Sequence, residues 1–118
     1  MRPVFLLIIL ISFPFIGCLA EKSLIDQYNE FAIRAAKEGL WREAAFRWER
    51  IIQIDPRNAK AHNNLAVAYE AMGRLEEAEK HYKLALELDP DNKAIQENYL
   101  RFKRSQRRRE GTGEKGSG

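Results

Sequence analysis

From residue 25 onward, apolar positions recur at helical spacing. In 59–72, Leu65, Ala66 and Tyr69 fall at i, i+1 and i+4, one face of a helix. Gly73 then predicts a stop, because Gly takes the left-handed turn conformation readily. In 75–88 a second stripe runs through Leu75, Ala78, Tyr82, Ala85 and Leu86. Asp89-Pro90 ends it, since Pro disfavours helix at the residue before it. Small Ala66 and Ala78 predict two helices in close approach, with Leu65 and Tyr82 filling the space beside them.

The pattern repeats without a gap. Laid on 59–92, residues 25–58 match identically at Asn29/Asn63, Ala32/Ala66, Gly39/Gly73, Glu43/Glu77, Ala44/Ala78, Asp55/Asp89, Pro56/Pro90 and Asn58/Asn92. Apolar character also matches at Phe31/Leu65, Ile33/Val67, Trp48/Tyr82, Ile52/Leu86 and Ile54/Leu88. A fixed period of 34 residues predicts a stacked array of helix pairs. Ser23 with Asp26 reads as a capping box opening the first helix. Residues 93–109 read as a fifth, terminal helix, with Ile95, Tyr99, Leu100 and Phe102 inward and Gln96, Glu97, Arg101, Lys103 and Arg104 outward. Residues 110–118, with four Gly in nine, read as disordered.

These residues resemble the tetratricopeptide repeat. The second unit supplies His62, Leu65, Ala66, Tyr69, Ala78, Tyr82 and Pro90 at that family's positions. The first supplies Tyr28, Phe31, Ala32, Ala35, Ala44, Trp48 and Pro56. His62 and Ala35 depart from the usual aromatics. The resemblance implies an all-α short solenoid: two repeats, 25–58 and 59–92, and a capping helix. It also implies a protein or peptide ligand, held in a groove lined by the first helix of each unit. The groove positions are Asn29, Ile33, Lys60, Asn63, Asn64 and Val67. Asn offers both a donor and an acceptor to a peptide backbone; the same Asn residues equally suit a role in stabilising the fold. Of the clamp by which some members grip a C-terminal carboxylate, Asn64 alone is present.

The first twenty residues follow a different rule. Arg2 precedes an apolar stretch from Val4 to Ile16, then Gly17-Cys18-Leu19-Ala20 and the charged Glu21-Lys22. That is the layout of an export signal, and it falls short of the roughly 20 apolar residues of a spanning helix. Gly17-Cys18 resembles a bacterial lipobox, although Phe15 replaces the usual Leu. This reading makes 1–17 a signal peptide, Cys18 a lipidated N-terminus and 18–24 a short linker. It places the protein in the cell envelope, at the periplasmic face of the outer membrane. Ordinary cleavage after Ala20, giving a secreted or periplasmic chain, and an uncleaved inner-membrane anchor are the alternatives.

Charge adds one feature. The net charge of the chain is +3. Residues 101–118 hold seven Lys/Arg against two acids, whereas 18–100 hold twelve against fifteen. The basic run Arg101, Lys103, Arg104, Arg107, Arg108 and Arg109 suits anionic lipid, an acidic partner or plain solvation. With export and no aromatic beyond Phe102, nucleic acid is not expected. One Cys excludes an intrachain disulfide. His62 and His81 lie 19 residues apart, His81 reading as exposed. No phosphate loop, dinucleotide fingerprint or nucleophile elbow occurs. No enzyme activity, cofactor or metal is expected. The reading is an adaptor, the alternative a small structural subunit of an envelope or secretion assembly. Two repeats fall short of the roughly three an isolated array needs, which implies a partner, self-association or a membrane complex.

Overall fold

The computed structural model describes residues 22–113. Ser23 opens α1 (Leu24–Lys37): its hydroxyl accepts from the Asp26 backbone N–H at 3.1 Å and donates to the Asp26 carboxylate at 2.8 Å. The helix ends at Gly39, φ +77°, where the Leu40 N–H reaches back to the Ala35 carbonyl at 2.9 Å. This six-to-one closure needs a left-handed residue, which Gly provides without strain. One period later Gly73 repeats it, with the Arg74 N–H on the Tyr69 carbonyl at 2.8 Å. The chain therefore doubles back twice, into α2 (Trp41–Ile54) and, after α3 (Ala59–Ala71), into α4 (Leu75–Leu88). Asp55-Pro56 and Asp89-Pro90 close α2 and α4. Asn58 and Asn92 cap the helices that follow, accepting from the Ala61 and Ile95 N–H groups at 2.9 and 3.2 Å. The duplicated Gly, Pro and Asn residues are thus the punctuation of the repeat.

Within each pair the helices meet on small residues. Ala32 and Ala44 in the first, and Ala66 and Ala78 in the second, are fully buried. Trp48, Leu65 and Tyr82 fill the volume alongside. The pairs join through α2 and α3, where Tyr69 of α3 donates to Glu49 of α2 at 2.6 Å. Among the described residues there is no strand, and the architecture is the all-α solenoid of paired helices. No described helix is long and apolar enough to cross a membrane.

Helix α5 (Lys93–Gly113) packs on α4 and α3. Ile95 and Phe102 are buried, and Phe102 and Tyr99 ring Tyr82 at 5.3 and 6.0 Å between centroids. The sequence departs from this helix in two places. Leu100 does not face inward; it is 49% exposed, because two residues of helix rotate it about 200° away from Phe102. Nor does order stop at 109. Arg107 stands where Gly39 and Gly73 stand in the earlier units, so no left-handed turn interrupts α5. Thr112 Oγ1 closes the last turn on the Arg108 and Arg109 carbonyls at 3.0 and 2.9 Å. Residues 110–113 are helical, and 114–118 lie outside the described residues.

Candidate partner-binding groove

The first helices of the two units leave a recess of about 210 Å³ between them, lined by Asp26 and Asn29 of α1, Lys60 and Asn64 of α3, and the Asn58 cap. Three of the groove residues named from sequence therefore share one concavity. Asn29 is partly committed, since its Oδ1 accepts from Trp48 Nε1 at 3.1 Å. That bond fixes the amide and leaves its N–H₂ for a ligand. Lys60 is exposed and Asn64 half-buried. Ile33 and Val67 lie one turn beyond Asn29 and Asn63 on the same faces; Ile33 is exposed and Val67 half-buried.

Asn63 has another role. It is only 8% exposed, accepts from Asn98 Nδ2 at 3.1 Å and donates to Asn64 Oδ1 at 3.4 Å. Arg101 Nη1 continues the chain onto Asn98 Oδ1 at 3.2 Å. The ladder Asn64–Asn63–Asn98–Arg101 ties α3 to α5, so Asn63 is a structural link rather than a free groove surface. Arg101 likewise differs from the rest of the basic run: its guanidinium lies 3.8 Å from Glu70, which holds the Tyr82 hydroxyl at 2.8 Å. Lys103, Arg104, Arg107, Arg108 and Arg109 are exposed on α5, with the Lys103 ammonium 5.4 Å from the Tyr99 ring. Cys18 lies outside the described residues.

A wider recess, about 760 Å³, opens between the two interhelical turns, lined by Leu40, Trp41, Phe46, Glu49, Met72 and Arg74 among others. Sequence did not single it out. Its residues come from both turns, and only stacking of the units brings them together.

The two histidines correct another expectation. His81 is half-buried, and its Nδ1 lies 3.0 Å from His62 Nδ1 with the rings stacked at 5.2 Å. His62 Nε2 lies 2.9 Å from the Pro56 carbonyl. A carbonyl only accepts, so this nitrogen carries the hydrogen. In the neutral pair His62 Nδ1 then accepts and His81 Nδ1 donates. Burial, and then the charge of His62, hold the His81 pKa down to about 4 from 6.5. Among the described residues no group of three His, Cys, Asp or Glu is placed to hold a metal ion.

The depressed His81 makes stability pH-dependent. Between pH 6.5 and 4 the unfolded chain binds more protons than the folded one, so stability is full above 6.5 and falls toward 4. With the ring half open to water, the loss is on the order of 1 kcal/mol. Urea unfolding near neutrality and at acid pH should show the wild-type midpoint dropping more than that of His81→Gln. Equal drops would mean that His81 does not govern it.

Comparison with known proteins then adds to the geometry. Residues 59–92, which are α3, α4 and the turns around them, match the family model described as Tetratricopeptide repeat. The second unit is a tetratricopeptide repeat. The chain is 42% identical over 59 residues to heat shock protein STI1 of Saccharomyces cerevisiae, covering 50% of this chain and 10% of that protein. It is 42% identical over 55 residues to protein O-mannosyl-transferase TMTC4 of Mus musculus, covering 47% of this chain and 7% of that protein. The human TMTC4 protein is 49% identical over 41 residues, 35% of this chain and 6% of that protein. The chain thus spans a tenth or less of the length of these relatives. The paired-helix architecture was legible from the period and its small residues, and the first helix pair carries the same turn chemistry as the matched one.

Proposed function

We propose that this protein is a non-catalytic adaptor that holds a protein or peptide partner in the groove between α1 and α3. The observation that carries this reading is the recess itself. Asn29, Lys60 and Asn64 converge there with hydrogen-bonding capacity left over, on helices fixed in place by buried Ala32 and Ala66. A pre-formed concave surface with a few convergent polar groups is the usual setting of a binding site. Tetratricopeptide repeats elsewhere engage protein or peptide ligands, which favours the same class of partner here. Asn side chains meet the backbone of an extended peptide through both donor and acceptor, and Lys60 adds a cation for an acidic residue or terminal carboxylate.

The adaptor works at the cell envelope in this proposal. The apolar stretch before Gly17-Cys18 directs export, and acylation of Cys18 holds the repeats at the periplasmic face of the outer membrane. The basic face of α5 remains available to a second acidic contact.

Lys60→Ala with Asn64→Ala tests the groove. Neither side chain belongs to the buried core, and Asn64→Ala removes only the long 3.4 Å contact from Asn63, leaving the Asn63–Asn98 link in place. Co-purification of partner proteins from membrane extracts should fall by about tenfold, the worth of one or two hydrogen bonds, with an unchanged circular dichroism spectrum. Undiminished recovery would favour the structural-subunit reading, in which contacts run through the outer helices.

A further inference from the structure

The open end of the first helix pair carries apolar side chains at positions whose counterparts in the second pair are covered. One period later, the positions of Tyr28 and Phe31 are His62 and Leu65, both buried where α3 meets the preceding unit. In the first pair Phe31 is 40% exposed, and Leu24, Leu40 and Phe46 are each about half exposed. These residues form one surface. Arg47 lies across it, its guanidinium 4.4 Å from the Phe31 ring centroid and 5.6 Å from those of Tyr28 and Phe46. Phe46 and Leu40 continue it into the recess beside Trp41.

We infer that this end face is a membrane-contact surface, seated in the headgroup region of the bilayer that holds the anchor. The inference rests on the lipid-anchor part of the proposed function and adds to it an orientation. Leu24 is six residues beyond Cys18, so an acylated Cys18 keeps the Leu24 end of this face within about 20 Å of the bilayer even with the linker fully extended. A tether that short presents the bilayer to the face at high effective concentration. The composition suits that occupant. Half-buried Tyr28 and Trp41 have the one apolar and one polar end of the rings that concentrate at membrane interfaces, and the planar guanidinium of Arg47, stacked on the rings by one face, keeps N–H donors at its edge for lipid phosphate. Glu30, at the edge of the face, is neutralised by Lys22 at 2.5 Å; Glu43 sits at the far margin near Leu40. The groove between α1 and α3 is left open to a partner from the periplasm.

Spin labels on the full acylated protein test this. Phe46→Cys places a label on the face, and Glu87→Cys places one on the exposed side of α4; Cys18 is blocked by its acyl groups. Both sites are exposed, so the fold tolerates the labels. The host is vesicles of phosphatidylethanolamine and phosphatidylglycerol. There the label at 46 should shift toward collision with oxygen and away from a water-soluble nickel chelate, relative to the label at 87. Phe31→Asp should abolish the shift. An intact mass showing acylated Cys18 with the label at 46 fully accessible to nickel would overturn the membrane-contact face alone. A label at 46 that is immobilised and reached by neither reagent would also overturn it, a second copy of the chain then being the occupant. A mature chain beginning at Glu21 without lipid would overturn the anchor reading and the inference together.

Discussion

Tyr82→Ala is expected to unfold the protein at ordinary temperatures. Tyr82 is fully buried where α3, α4 and α5 converge. Its ring packs on Tyr99 and Phe102, and its hydroxyl donates to Glu70 at 2.8 Å. Burial, and then that bond, raise its pKa far above the ordinary phenol range. Removing a large buried aromatic costs about 3–5 kcal/mol. A small domain has roughly 5–15 kcal/mol in total, and two helix pairs with a cap belong at the low end of that range. Tyr82→Phe separates the two contributions: it keeps the ring and should cost about 1 kcal/mol for the lost hydrogen bond, with Glu70 still facing Arg101. Thermal melts followed at 222 nm check both. A Tyr82→Ala variant melting within a few degrees of wild type would mean that α5 does not close the core in the way described.

Ala78→Leu should be the second most damaging substitution. Ala78 and Ala66 are both fully buried. Added methylenes have nowhere to go unless α3 and α4 separate, and overpacking of this kind costs about 1–3 kcal/mol. Urea unfolding should show a lowered midpoint, and Ala44→Leu should do the same in the first unit. Ala71→Leu, at the exposed end of α3, serves as control and should change little. Unchanged midpoints for Ala78→Leu would place that residue at the surface and break the proposed register.

What sequence revealed, and what it hid, follow from range. Gly39, Gly73, Pro56 and Pro90 act within a turn of the chain, and the Ala pairs act at helical spacing, so the paired-helix fold is legible without coordinates. The two roles open to Asn63, groove and fold, were not separable in sequence because its partner Asn98 lies in α5, which departs from the repeat after its first turns. Leu100 was misread because the apolar stripe of a terminal helix narrows once no further unit packs on it. The histidine pair was hidden by distance along the chain, yet the period contained a clue. One repeat earlier the same two positions are Tyr28 and Arg47, which also touch, as a cation over a ring. The groove was partly legible: the register placed Asn29, Lys60 and Asn64 on first helices, but only packing shows that Trp48 already holds Asn29.

The central claim, that the groove between α1 and α3 is where a partner is held, is tested most directly by site-specific photocrosslinking in intact cells. A photoreactive residue replaces Lys60, at the mouth of the recess, or Glu87, exposed on α4. The adaptor account predicts a discrete adduct from position 60 that disappears in the Asn64→Ala background, and none from position 87. Adducts from position 87 with position 60 silent would contradict it and assign the contacts to the outer helices.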